Sequence, residues 1–364
     1  MEGPAQAVQC KIFNDAGVFP PDAKTLALSV GALNSLDPAN ALRIWQENFT
    51  SSSDIYDYNP EVKKIFEKVF SRIPQNPFHK HKSWKEQRAD FKEQYHKFVS
   101  FIEFLKRARR SIPSLPLGGS PSPKDLIPFS QMFIEEIKAS GLDKIQGLFD
   151  PTPFVKSLRK VVDLSGVLNG GSSLLILTRS SSGEHIFSAG ATLSAEALAK
   201  IKIPMHDANS EEKIFRAAIA SAALRPFFAP VQINGGLFWD VGERNPFPVE
   251  YLMDAGCDTI FAFVKNFWSF SPSPDASAWQ AFLDRMEEAT QDAFFRKYEK
   301  AMERAEREGR KLYTILSQPP HPDQGLLDIS KDAMDYIFKV ETEATKKWLA
   351  DNLSVQADLN TKLP

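Results

Sequence analysis

Ser29 closes a short apolar run, Thr25-Leu26-Ala27-Leu28, and is followed by Val30-Gly31-Ala32-Leu33-Asn34. A serine between a strand and a helix, with small residues two positions to either side, is the pattern of a nucleophile elbow. The sharp turn holds the hydroxyl clear of the backbone at the carboxyl end of a sheet, and the next helix aims its amino-terminal dipole at the site. The usual form is G-x-S-x-G; here Ala27 takes the place of the first glycine and Gly31 is the second. A serine hydroxyl needs a base before it can attack an ester carbonyl, so this chemistry requires a partner elsewhere in the chain. Ser29, Asp240 and His321 follow the order of the α/β-hydrolase triad. His321, however, lies in Gln318-Pro319-Pro320-His321-Pro322-Asp323, a proline-locked turn where a solvated ring is the default. Asp240, in Asp240-Val241-Gly242, reads on its own as a turn-capping carboxylate ahead of a glycine.

Other chemistries find no support. His79 and His81 sit in Phe78-His79-Lys80-His81-Lys82, whose lysines would repel a metal cation. P-loops, dinucleotide glycine patterns and Asp-rich metal loops are absent from the sequence, so no metal and no cofactor is expected. With 44 Lys/Arg against 46 Asp/Glu the net charge of -2 gives no global reason to expect nucleic acid as a partner. Two cysteines, Cys10 and Cys257, are too few for a disulfide framework and point to a reducing, cytoplasmic compartment. No basic segment followed by an apolar one opens the sequence, and no stretch approaches the ~18 apolar residues of a membrane span, so neither a signal peptide nor a span is expected.

The elements that would position Ser29 and Asp240 can be read from periodicity. Residues 5–16 place apolar groups at 5, 8, 12 and 16 ahead of Gly17, predicting a glycine-capped helix. Residues 25–30 form the strand entering the elbow; a helix follows from Ala32 and resumes at 38–49, with Trp45 on its buried side. From 50 to 145 the sequence reads as helices and proline-rich turns without a convincing strand. Short apolar runs at 173–178 and 259–264 predict strands buried on both faces, 184–188 a partner strand, and 311–316 a last strand. Between them fall a small-residue helix at 214–224 and a helix at 248–255; charged helices are expected at 276–308 and 331–352. This alternation predicts an α/β fold, a three-layer α/β/α domain with a mostly parallel sheet.

The stretch from Phe215 to Val264 carries a family resemblance. An Ala/Ser-rich helix, Ala217-Ala218-Ile219-Ala220-Ser221, is followed by Pro226, Phe228-Ala229-Pro230-Val231, Asn234-Gly235-Gly236, Asp240-Val241-Gly242, Asn245, Pro248-Val249 and Ala255-Gly256-Cys257-Asp258. Together with Ser29-Val30-Gly31-Ala32-Leu33-Asn34 and Leu148-Phe149-Asp150-Pro151-Thr152-Pro153-Phe154, this order resembles the patatin-like phospholipases. The likeness spans residues 3–352, interrupted by a helical insertion at 50–145, with 353–364 as a tail. It implies a lipid acyl hydrolase with a Ser-Asp dyad: Ser29 as nucleophile, Asp240 as base, Gly31 and Gly242 as the elbow and dyad-turn glycines, and a lipid or other ester as substrate.

Three features depart from the family. Its oxyanion loop, G-G-G-x-[RK]-G, is represented only by Gly3, which aligns with the loop's last glycine; loss of its backbone donors predicts weak turnover, and a lipid-binding or interaction protein without turnover is the alternative. Ala27 and Val241 replace glycines, and the β-branched Val241 is expected to resist a positive φ at the dyad turn. Within the insertion, Trp84 to Arg110 predicts an amphipathic helix with Phe91, Tyr95, Phe98, Phe101 and Phe104 at helical spacing, ending in Lys106-Arg107-Ala108-Arg109-Arg110. That helix is expected either to serve as a lid or peripheral membrane contact, or to pack its aromatics inward as ordinary core.

Overall fold

The computed structural model describes residues 3–18, 25–29, 40–49, 54, 56–64, 146–169, 172–190, 193–225, 227–242, 244–269, 278–319 and 331–353. The chain divides into two compact units, one of residues 1–59 and 146–364, the other of residues 60–145. The first unit is mixed α/β, with a four-stranded sheet in which two of the three strand pairs are parallel.

Helix α1, Gly3–Asp15, ends at Gly17, whose φ of 67° lets the chain reverse without a Cβ penalty. Strand β1, Thr25–Ser29, and helix α2, Ala41–Asn48, follow, with Trp45 buried as expected. Strand β2, Asp57–Tyr58, lies inside the stretch read as strandless and corrects that reading. It pairs antiparallel with β3, Phe149–Asp150, on the far side of the insertion. Asn59 reinforces the clasp: its backbone N–H donates to Leu148 O at 3.0 Å and its Nδ2 to Gly147 O at 3.0 Å. Gly147 is required there, since a Cβ would stand 2.3 Å from the backbone nitrogen of Ala229. Two residues were too short a run to leave a periodic signal.

Helices α3, Thr152–Val161, and α4, Ser165–Leu168, lead into β4, Ser172–Ser180. A two-residue turn returns the chain as β5, Gly183–Gly190; then come α5, Ala195–Lys200, β6, Met205–Asp207, and α6, Glu211–Ser221. Ser194 and Ser210 start α5 and α6 by accepting the N–H of Ala197 and Lys213, as N-caps do. The four strands order as β1-β4-β5-β6: β1 and β4 are parallel, β4 and β5 antiparallel, β5 and β6 parallel.

Both faces of this sheet are covered, which is why β4 reads as a continuous apolar run rather than an alternation. Leu174 and Ile176 face a core with Phe13, Leu42, Phe154 and Phe215; Leu175 and Leu177 face a second one with Ile201, Val241 and Tyr251. The hairpin β7, Val231–Ile233, and β8, Gly236–Phe238, turns on Asn234 and Gly235 at φ 49° and 84°, the pair of left-handed residues that a tight hairpin turn demands.

After α7, Glu250–Asp254, strand β9, Thr259–Val264, pairs in parallel with β10, Lys311–Leu316, across the long helix α8, Ala278–Arg307. Ion pairs of Lys297 with Glu250 at 2.6 Å and Arg304 with Asp254 at 2.8 Å fasten α8 to α7. The opposite face of β9 and β10 takes Phe13 of α1 and Trp348 of α9, Lys331–Leu353; Phe13 meets Phe261 and Phe263 edge-on at 5.5 and 5.1 Å.

Candidate functional site

Ser29 is the last residue of β1. The flanking residues fix its depth. Ala27 packs toward the core holding Phe13, and Leu28 toward the one holding Val241. Gly31 and the rest of the elbow turn, 30–39, lie outside the described residues, as do His321, His79, His81 and the helix expected at 84–110. Gly3 opens helix α1.

Asp240 follows the β7–β8 hairpin. Its own N–H donates to Ala223 O at 3.2 Å, just past α6, and its Oδ1 accepts the N–H of Gly242 at 2.6 Å. This closes the short side-chain-to-backbone turn that an aspartate before a glycine favours. Neither Val241 nor Gly242 has a positive φ; among the described residues Asn234 is the one non-glycine that does. The strain expected of Val241 is therefore absent. Its side chain is fully buried against Leu175, Leu177 and Tyr251 and anchors the turn instead.

Register relates the two residues. One edge of β4 is taken by β5 from Ser173 to Ser180. On the other edge β1 pairs up to Ser29 opposite Ile176, and Trp239 pairs three residues further on, exchanging both backbone hydrogen bonds with Arg179 at 2.9 and 2.8 Å. Trp239 runs antiparallel to β4, so the chain heads back toward Ile176 as it enters Asp240. Asp240 thus stands about level with Thr178, two residues from the partner of Ser29, or about 7 Å of strand. The buried Ser221 hydroxyl, at the end of the Ala/Ser-rich helix, donates to Leu177 O of β4 at 2.8 Å and ties that helix to the strand between the levels of Ser29 and Asp240.

The segment after Asp240 is held by a polar cluster. Asn245, fully buried, donates to Glu184 at 3.0 Å and to Glu250 at 3.4 Å; the Tyr251 hydroxyl donates to the same Glu184 oxygen at 2.6 Å. Burial, together with Glu184 and its neighbours, pushes the Tyr251 phenol up, so it stays a neutral donor. Arg225 stacks over the Trp239 ring at 5.2 Å. Burial likewise raises the Cys10 thiol to about 12 and raises the Cys257 thiol as well, leaving neither as a ready nucleophile. Among the described residues no group of three His, Cys, Asp or Glu could hold a metal ion, and no helix is long and apolar enough to cross a membrane.

A feature that the sequence reading missed lies at the β4–β5 turn. His185 places Nε2 2.7 Å from Ser180 Oγ and 3.1 Å from Ser182 Oγ, and its Nδ1 3.0 Å from His206 Nε2. These residues are spread over two hairpin strands and β6, so no sequence spacing joins them; the register Phe187↔His206 does. No family model matches the chain, and no curated protein matches it in sequence.

Proposed function

We propose that the chain is a serine ester hydrolase acting on lipid acyl esters, with Ser29 as nucleophile and Asp240 as base. The observation that carries this reading is the shared edge of β4, along which a serine ending a parallel strand and the aspartate of a capped turn stand about two residues apart. The carboxyl ends of strands in an open α/β sheet are where ligands bind. Ser29 would add to the ester carbonyl carbon as its proton passes to the Asp240 carboxylate. The aspartic acid would return that proton to the departing alkoxide, and water, deprotonated by the same carboxylate, would hydrolyse the acyl-serine. Gly242 N–H holds one carboxylate oxygen, so rotation of the base is limited. The lipid part of the reading rests on the patatin-like sequence pattern and on the basic, aromatic stretch at 80–110.

Hydrolysis of p-nitrophenyl butyrate by the wild type, Ser29→Ala and Asp240→Asn tests it. Turnover that falls at least about 100-fold in both variants is expected, the size of a lost general base. Turnover retained in Ser29→Ala would overturn the dyad. Absent turnover, with a fluorescent fatty-acid analogue still bound in a Ser29-dependent way, would favour a lipid-binding protein that has given up catalysis.

A further inference from the structure

We infer that Ser182 is a second nucleophile of this chain, activated by His185 and His206, and able to accept acyl or phosphonyl groups from activated esters independently of Ser29. The β4–β5 hairpin turns through Ser181-Ser182, with Ser180 paired to Gly183, whose φ is 130°. Ser180 and His185 are buried, while Ser182 is exposed at the tip. Ser182 N–H donates to Ser180 Oγ at 3.1 Å and the two hydroxyl oxygens lie 2.8 Å apart, so Ser180 fixes the turn and leaves Ser182 as the hydroxyl that solvent-borne reagents can reach.

In the tautomer a base needs, His185 Nδ1–H donates to His206 Nε2 at 3.0 Å, Nε2 accepts the nearer Ser180 hydroxyl at 2.7 Å, and Ser180 Oγ accepts the Ser182 hydroxyl at 2.8 Å, with Ser182 Oγ itself 3.1 Å from Nε2. Phe187 stacks on His206 at 4.8 Å, and Phe238 stands edge-on to both imidazoles at 5.2 and 5.7 Å, packing against a pair of which His185 is buried and His206 half-buried. Glu184, the sequence neighbour of His185, is engaged by Asn245 and Tyr251 instead. A serine in reach of a histidine that is itself oriented by a third group is the arrangement by which a hydroxyl is activated. In the step, Ser182 Oγ bonds to the carbonyl carbon or phosphorus while its proton moves to Ser180 Oγ and the Ser180 proton moves to His185 Nε2. The leaving group departs with the bonding pair, an alkoxide taking the proton back from His185. The Nδ1–H to His206 spreads the imidazolium charge. Ser182 is exposed at the hairpin tip, so small activated esters that reach it from solution are the class that fits.

The test is fluorophosphonate labelling of the full chain in a Ser29→Ala background, with the adduct mapped by peptide mass spectrometry. An adduct on Ser182 is expected, lost in Ser182→Ala, kept in Ser181→Ala, and formed at least about 100-fold more slowly in His185→Gln. In the unsubstituted hairpin the labelling rate should rise as pH increases through a midpoint below 6.5, because burial and the neighbouring His206 lower the His185 imidazolium from that value. This pH profile stands even where His185→Gln fails to fold. No adduct on Ser182, an adduct formed equally fast in folded His185→Gln, or a rate flat between pH 5 and 7 would each overturn the inference. Ser182 takes the group once and nothing in the step releases it, so repeated ester turnover in Ser29→Ala still counts against the dyad, and because Ser29 is absent throughout the labelling test, failure here leaves the dyad reading intact.

Discussion

At the scale of single residues, Glu341, on α9 and almost fully buried, is the described carboxyl whose pKa burial raises most. It accepts Gln9 Nε2 at 3.1 Å and the backbone N–H of Gln318, yet desolvation outweighs both bonds and raises its carboxyl from 4.5 to about 7. The folded state therefore binds this proton more tightly than the unfolded chain. Its stabilising share is complete below about pH 4.5 and is lost as pH rises through about 7. At ~1.4 kcal/mol per pKa unit the shift corresponds to on the order of 3 kcal/mol. Glu341→Gln keeps an acceptor for Gln318 without the charge. Urea unfolding between pH 5 and 8 should show the wild type losing on the order of 2 kcal/mol relative to this variant across that window. Parallel curves for the two proteins would mean that the carboxyl titrates normally. Asp163, Glu212 and Glu308, whose carboxyls are lowered by hydrogen bonds, act with the opposite sign and below pH 4.5, outside this range.

At the scale of elements, the β7–β8 hairpin decides where Asp240 goes, since its second strand continues into the Trp239 pairing with Arg179. Gly235 at φ 84° has open space around its missing Cβ, so an alanine there would meet no clash and pay only the left-handed backbone cost, about 1–2 kcal/mol. Gly235→Ala should lower the urea midpoint accordingly and, if the dyad works, reduce ester turnover through displacement of Asp240. Asn234→Gly, which relaxes the other left-handed position, should leave both nearly unchanged; a Gly235→Ala protein as stable as the wild type would show that the turn is not confined as described. The hairpin was legible in Asn234-Gly235-Gly236 because left-handed turns select those residue types. Strands 259–264 and 311–316 were legible in the same way, as apolar runs between turn residues, and both match the structure end to end. Helix α3 is hidden in the sequence because Pro151 and Pro153 at its start read as a turn motif as readily as a helix opening; β6, at three residues, carries no period. Ser29 could be found locally, since an elbow is a local pattern. The level of Asp240 along β4 and the His185–His206 contact could not, because both depend on register between distant strands.

At the scale of the whole molecule, the question is how a chain of net charge -2 would approach a lipid surface. From Lys80 to Arg110 the sequence carries ten Lys/Arg against four Asp/Glu, a local excess of six positive charges. These residues belong to the unit at 60–145, and the chain leaves and returns beside the same clasp, Asp57–Asn59 against Gly147–Asp150. Basic residues close to an anionic membrane contribute about 1 kcal/mol each, falling off within a Debye length. Four of them, Lys106, Arg107, Arg109 and Arg110, fall within five positions at the end of the aromatic stretch. Replacing all four with glutamine should therefore weaken co-sedimentation with phosphatidylserine-containing vesicles by at least about 100-fold at low salt and flatten its dependence on salt. Binding to purely zwitterionic vesicles should change little, since the aromatics Phe91, Tyr95, Phe98 and Phe101 remain. Unchanged binding to anionic vesicles in the glutamine variant would assign those aromatics to packing within their own unit and leave the substrate to reach Ser29 from solution.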